Sequence, residues 1–194
     1  VFLDTSSLVA PDELNGDLLL MESRTSVRRI TSHLLEQGRT LPGFIGDIGY
    51  AQSNRERYEG FCQALTDAGK KVDSSLCLTT PLGIDTYREE IDTFLSSLSR
   101  MPDAFVCASD YVACILMQLL EKRGLRVPED VAVSGFDNNT EDLLAEHLTT
   151  VQVFNEELGA RLALQILYRI KYPNTPHEIT YLGTNVLYRD STGD

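Results

Sequence analysis

Short apolar runs alternate along most of this chain with longer stretches whose apolar residues recur every three or four positions. The runs predict strands at 1–4, 18–21, 43–46, 72–78, 104–107 and 131–134. Between them, Val27, Ile30, Thr31 and Leu34 mark one helix, and Tyr58, Phe61 and Leu65 a second. Tyr87, Ile91, Phe94, Leu95 and Leu98 mark a third, and Val112, Ile115, Leu116 and Leu119 a fourth. Gly38, Gly69 and Gly124 stand where three of these helices should stop, because glycine takes the left-handed C-terminal conformation cheaply. Strand and helix alternating at this spacing predict an α/β fold: a three-layer αβα arrangement around a parallel sheet.

After 148–151 the pattern changes. A long amphipathic helix is expected over 155–170, with Leu158, Leu162, Ile166 and Ile170 on one stripe. Pro173 and Pro176 bracket a loop, and a last strand is expected over 179–187 before a polar tail. No internal repeat or low-complexity stretch interrupts the order.

Composition narrows the chemistry. With 194 residues the chain can build one sizeable core and part of another. A net charge of −12 argues against these residues gripping a phosphate backbone and suits a neutral or cationic small ligand, although solubility explains it equally. No apolar run approaches the roughly 20 residues of a membrane helix. Cys62, Cys77, Cys107 and Cys114 form no CxxC pair and read as small buried hydrophobes of a reduced cytosolic protein. His33, His147 and His177 are too scattered to suggest a metal site, and no cofactor is expected.

The stretch 128–139, Pro-Glu-Asp-Val-Ala-Val-Ser-Gly-Phe-Asp-Asn-Asn, carries the most information. A β-branched run followed by Gly, an aromatic and an acid describes a buried parallel strand that delivers Asp137 to the carboxyl edge of a sheet, where ligands bind in such folds. Gly43, Gly46 and Gly49 are spaced GxxGxxG rather than GxGxxG, which weakens a dinucleotide reading. There is no P-loop, Ser134-Gly135 lacks the nucleophile-elbow pattern, and no carboxylate pair is flagged as an acid/base dyad. No catalytic residue is assigned.

Several segments together resemble the effector-binding core of the LacI/GalR family of bacterial transcription regulators, whose fold is the type I periplasmic binding protein-like one. They are 123–138, which contains the signature above; 148–151 followed by 156–159; Pro102-Asp103-Ala104-Phe105 leading to Ala108-Ser109-Asp110; Arg57-Tyr58-Glu59-Gly60-Phe61; and the tail Arg189-Asp190-Ser191-Thr192. The match spans essentially the whole chain. The resemblance implies two α/β lobes joined by three crossover strands, with a small molecule, a sugar or derivative, in the cleft between them. It implies ligand contacts from Asp137 and Arg57, from Ser53 one helical turn before Arg57, from Ser109 where the family often has Asn, and from Asp4. It also implies a homodimer, with Cys114, Gln118 and Leu144 on its surface, and operator DNA held by an N-terminal domain not in this chain.

Local alternatives stay open beside these roles. Arg57 could be a surface arginine paired with Glu56 or Asp67, Ser53 could cap its own helix, and Asp137 could cap a short helix around 140–144. Under the resemblance, 17–148 plus 179–192 form the second, complete lobe, and 1–6 with 151–172 are what the chain carries of the first. The helix at 155–170 would then have no complete sheet to cover, so further residues upstream are expected. The expected function is that of a cytoplasmic ligand-sensing repressor domain and not an enzyme. The rivals are a periplasmic sugar-binding transport protein, a doubly wound α/β enzyme, and a regulator answering to a phosphoprotein co-regulator.

Overall fold

The computed structural model describes residues 1–83, 85–139 and 146–193. Its strands are β1 (Phe2–Leu3), β2 (Leu18–Met21), β3 (Pro42–Ile45), β4 (Cys77–Leu78), β5 (Ala104–Cys107), β6 (Ala132–Ser134), β7 (Thr150–Gln152), β8 (Ile179–Leu182) and β9 (Asn185–Leu187). Its helices are α1 (Arg24–Glu36), α2 (Gln52–Asp67), α3 (Tyr87–Ser97), α4 (Asp110–Lys122) and α5 (Asn155–Lys171). Gly38, Gly69 and Gly124 follow α1, α2 and α4 with positive φ, as their positions suggest.

A four-stranded parallel sheet, ordered β4-β3-β5-β6, forms the centre. Strand alternation sorts its side chains. Ile45, Phe105, Cys107 and Val133 point to one face, where Ile91, Leu95, Val112, Leu116 and Leu119 of α3 and α4 cover them. Phe44, Val106 and Ala132 point to the other, under Val27, Ile30 and Leu34 of α1 and Phe61 and Leu65 of α2. This is the expected three-layer αβα arrangement. Its close fit explains the glycine pattern: a Cβ on Gly46 would lie 2.2 Å from the Ala108 Cβ, so the residue serves strand packing.

Helices α1 and α2 approach backbone to backbone at Gly60, where a Cβ would stand 2.2 Å from the carbonyl oxygen of Arg24. Gly60→Ala should therefore force the helices apart at a cost of about 2 kcal/mol, the usual range for overpacking. A urea-melt midpoint unchanged in that variant would show that the contact yields freely.

Strand pairing corrects the expected grouping of segments. β2 pairs in parallel with both β1 and β8, so 18–21 and 179–182 belong with Phe2–Leu3 and not with the central sheet. The final strand is not continuous. It breaks at Gly183-Thr184, after which β9 runs antiparallel to β7. The break lets one segment serve two sheets, a tertiary demand that alternating apolar residues do not reveal. The strand expected over 72–78 is only Cys77–Leu78, because 74–76 form a 3-10 turn with Asp73 accepting from the Ser75 amide at 3.0 Å.

Helix α5 turns a different stripe inward from the one expected. Leu158 and Gln165 are its buried residues, while Ile166 and Ile170 are exposed, the latter 72 %. Asp17, buried before β2, decides this. It accepts from Gln165 at 3.0 Å, from Arg169 Nε at 3.0 Å and from the Glu178 amide at 2.9 Å. Burial opposes ionisation of Asp17, but these donors outweigh it and hold its carboxyl well below the usual range. Leu164 and Leu167 of α5 and Ile179 and Tyr181 of β8 stay exposed.

Candidate functional site

The segments just past β5 and β6, the first turns of α2 and the end of β1 converge on one guanidinium. Arg57 is only 5 % exposed, on the inward face of a helix rich in charge. Its Nη1 donates to the carbonyl of Ala108, just past β5, and to Asn54 Oδ1 at 3.4 Å. Its guanidinium carbon lies 3.7 Å from the centroid of the Phe136 ring, a cation–π contact. Nη2 stands 3.5 Å from Asp137 Oδ1. The surface-arginine alternative is overturned: Asp67 pairs with Arg28 at 2.6 Å, and Glu56 is buried and accepts from the Tyr181 hydroxyl at 2.8 Å.

Asp137 sits where β6 has ended, and its amide donates to the Val151 carbonyl at 3.0 Å. Its φ of 109° and the 54° of Asn138 place two side-chain-bearing residues in a region that glycine favours. The neighbours hold them there. Asn138 donates from its amide to Thr150 Oγ1 at 3.3 Å and from Nδ2 to Gln152 Oε1, and it accepts from Arg189 at 2.8 Å. The Asp137 side chain is 44 % exposed, yet burial of the surrounding walls raises its pKa, an effect Arg57 opposes. The residues 140–144, whose capping was the local alternative for Asp137, lie outside the described residues.

Asp4, with φ 56°, reaches the first turn of α2. Ser53 donates its hydroxyl to Asp4 Oδ2 at 2.6 Å and its amide to Oδ1 at 3.4 Å. Ser53 is therefore not the cap of its helix, which starts at Gln52 with Ala51 before it and no side-chain cap. A carboxylate from another sheet does that work, satisfying a free amide at the positive end of the helix. The Gln52 amide donates to the Thr5 carbonyl at 2.8 Å alongside.

Ser109 caps α4, accepting from the Val112 amide at 3.3 Å, so its oxygen has a structural duty besides any ligand contact. The residue after it is the one sequence reasoning did not single out. Asp110 is 2 % exposed and ties three segments together. Oδ1 accepts from the Thr150 hydroxyl at 2.6 Å and Oδ2 from the Asn139 amide at 2.8 Å. Burial, with Asp137 adding to it, pushes its pKa up to about 6 against the effect of these donors and Arg189. An acid in the first turn of a helix is a visible signal, but its burial is not. Phe136 and Arg189, in the quoted motifs, likewise gain their roles from packing.

The other candidates lie elsewhere. Cys114 is buried between α3 and α4, and Gln118 of α4 accepts from Arg88. Both line a surface cavity of about 370 Å³ with Tyr87 and Tyr111, while Leu144 lies outside the described residues. Burial pushes the Cys77 thiol up to about 12 and the Cys107 thiol up as well, which keeps both protonated. Among the described residues there is no cluster of metal-ligating side chains, and no helix is long and apolar enough to cross a membrane.

Residues 31–192 match the family described as "Periplasmic binding protein-like domain". The HTH-type transcriptional regulator DegA of Bacillus subtilis (strain 168) is 32 % identical over 146 residues, 74 % of this chain and 42 % of that protein. The HTH-type transcriptional repressor PurR of Actinobacillus pleuropneumoniae serotype 3 (strain JL03) is 30 % identical over 165 residues, 84 % of this chain and 49 % of that one. The solved transcriptional regulator CelR–cellobiose complex superposes with a TM-score of 0.82 at 28 % identity, covering 92 % of this chain and 55 % of the other. The chain thus spans about half the length of the curated relatives it matches.

Proposed function

Since this chain belongs to the LacI-family transcriptional regulators, as their periplasmic binding protein-like effector-binding domain, we propose that it senses a sugar-like molecule at the Arg57–Asp137 site and transmits the result to operator DNA. The relatives are regulators and not enzymes. The observation that carries the ligand reading is the placement of Asp137. A carboxylate on strained backbone beside a buried guanidinium is what a hydroxyl-bearing ligand needs, since the acid accepts and the arginine fixes it. Binding of cellobiose by one relative agrees with this chemistry.

The mechanism is a shift of populations. A ligand bridging the Asp4 side and the Asp137 side favours a closed arrangement of the two sheets, and closure alters a homodimer that presents DNA-binding segments to an operator as a repressor does. The face of α3 and α4 around Cys114 and Gln118 is the proposed contact between copies. The location would be the cytoplasm, and a phosphoprotein co-regulator acting in place of or beside the sugar is a variant of the same scheme.

A thermal-shift screen of the full natural protein against sugars and purines tests the reading. A binding sugar at a hundred times its Kd should add about 2.7 kcal/mol of stability, and Asp137→Ala should abolish that gain. A ligand whose stabilisation survives both Asp137→Ala and Arg57→Ala binds elsewhere, and the site assignment then fails.

A further inference from the structure

We propose that this site takes an uncharged, polyhydroxylated ligand and rejects its phosphorylated or carboxylated counterparts, because its buried guanidinium already faces the Asp137 carboxylate and is held by Ala108, Asn54 and Phe136. The inference rests on the sensing role proposed above and narrows it to a charge class.

Arg57 is acted on by Asp137, Asp4, Asp110 and Glu56, one guanidinium against four acids. Its donors are also committed. Nη1 is shared between the Ala108 carbonyl and Asn54, Nη2 faces Asp137, and the π-face of Phe136 covers the guanidinium carbon. Among the described residues the Nε of this 95 % buried side chain has no partner, and it has no access to solvent, so it cannot complete a fork for an incoming anion. The second cation nearby is committed too. Arg189 donates to the Leu148 carbonyl at 3.0 Å and to Asn138 at 2.8 Å.

The acceptors, by contrast, are open. Among the described residues Asp137 has only Arg57, at 3.5 Å, and no hydrogen bond to its carboxylate, and its side chain is 44 % exposed. Asp4 is met by the Thr5 amide at 2.7 Å and by Ser53, groups that a ligand hydroxyl could join or replace. Hydroxyls donate to carboxylates, whereas a phosphate or carboxylate brings only acceptors and more negative charge. Like charges placed together at a desolvated site cost enough to separate affinities by roughly a hundredfold.

The test is isothermal titration of the full natural protein with matched pairs: ribose and ribose 5-phosphate, glucose and glucose 6-phosphate, glucose and gluconate, and cellobiose as a larger neutral probe. The expected result is that at least one neutral sugar binds and its anionic partner binds about a hundredfold or more weakly. In Asp137→Asn, confirmed folded by circular dichroism, the gap should narrow at least about tenfold. Raising the salt should narrow it in the unmodified protein, because screening weakens repulsion. An anion that binds as tightly as its neutral partner overturns the inference and leaves the sensing role intact. A gap that neither salt nor Asp137→Asn changes assigns the exclusion to size and also overturns it. If no sugar binds, neutral or charged, the sugar-sensing reading itself falls, and the inference with it.

Discussion

Arg57→Ala should destabilise the ligand-free protein by about 3–4 kcal/mol, the cost of removing one member of a buried ion network. The loss has three sources. The Ala108 carbonyl loses a charged donor, Phe136 loses the group covering its ring, and Asp4, Asp110, Asp137 and Glu56 lose a buried cation that acts on all four. Asp137 acts on Arg57 most strongly of the four, but its half-exposed carboxylate is partly rescued by water once the cation is gone. Arg57→Met keeps most of the volume and should recover the packing share while leaving the charge share lost. Urea unfolding of both variants without ligand separates the two. A change below about 1 kcal/mol in Arg57→Ala would show an arginine that folding scarcely uses.

Asp110 should make stability depend on pH in the opposite direction from an ordinary ion-paired acid. Its pKa is raised from 3.8 unfolded to about 6 folded. Between those values the folded protein holds a proton that the unfolded chain has released, so unfolding becomes easier as the pH rises. The contribution is fully present below about pH 4 and fully lost above about pH 6, and it amounts to as much as about 3 kcal/mol at 1.36 kcal/mol per unit. Other acids, Asp17 and Asp130 among them, have lowered values and pull the other way at acid pH. Asp110→Asn isolates the effect, because the amide mimics the protonated acid. Relative to the parent, Asp110→Asn should gain about 2–3 kcal/mol on going from pH 4 to pH 7. Parallel stability curves for the two proteins across that range would show that Asp110 is ionised at no unusual cost.

The same residue explains why part of the site was legible in the sequence and part was not. Asp137 announces itself through local order: a β-branched run, a glycine, an aromatic and then an acid place a carboxylate at a sheet's edge whatever the rest of the fold does. Arg57 and Ser53 are one helical turn apart and share a face. Whether that face is wet is a tertiary question, and the sequence could not choose between Asp67 and Asp137 as the partner of Arg57. The choice falls to Arg28, which takes Asp67 from the neighbouring helix. Asp110 stands in plain view after a capping serine, but its burial depends on Thr150 and Asn139 arriving from 40 and 29 residues away.

What the sequence determined by itself is everything governed by short-range periodicity and backbone preference: alternating strands and helices, glycines at three helix ends, and an αβα core whose two faces follow from strand alternation. Those rules involve residues a few positions apart, so they are written locally. Only the tertiary structure decided which sheet each strand joins, that 179–187 breaks to serve two of them, and that α5 turns Gln165 and Arg169 toward Asp17 while Ile166 and Ile170 face out. It also decided that Asp4, from a different sheet, completes the first turn of α2. A buried polar group must find its partner wherever the chain returns, and that requirement can override an apolar stripe because leaving a charge unpaired costs more than exposing a methyl group.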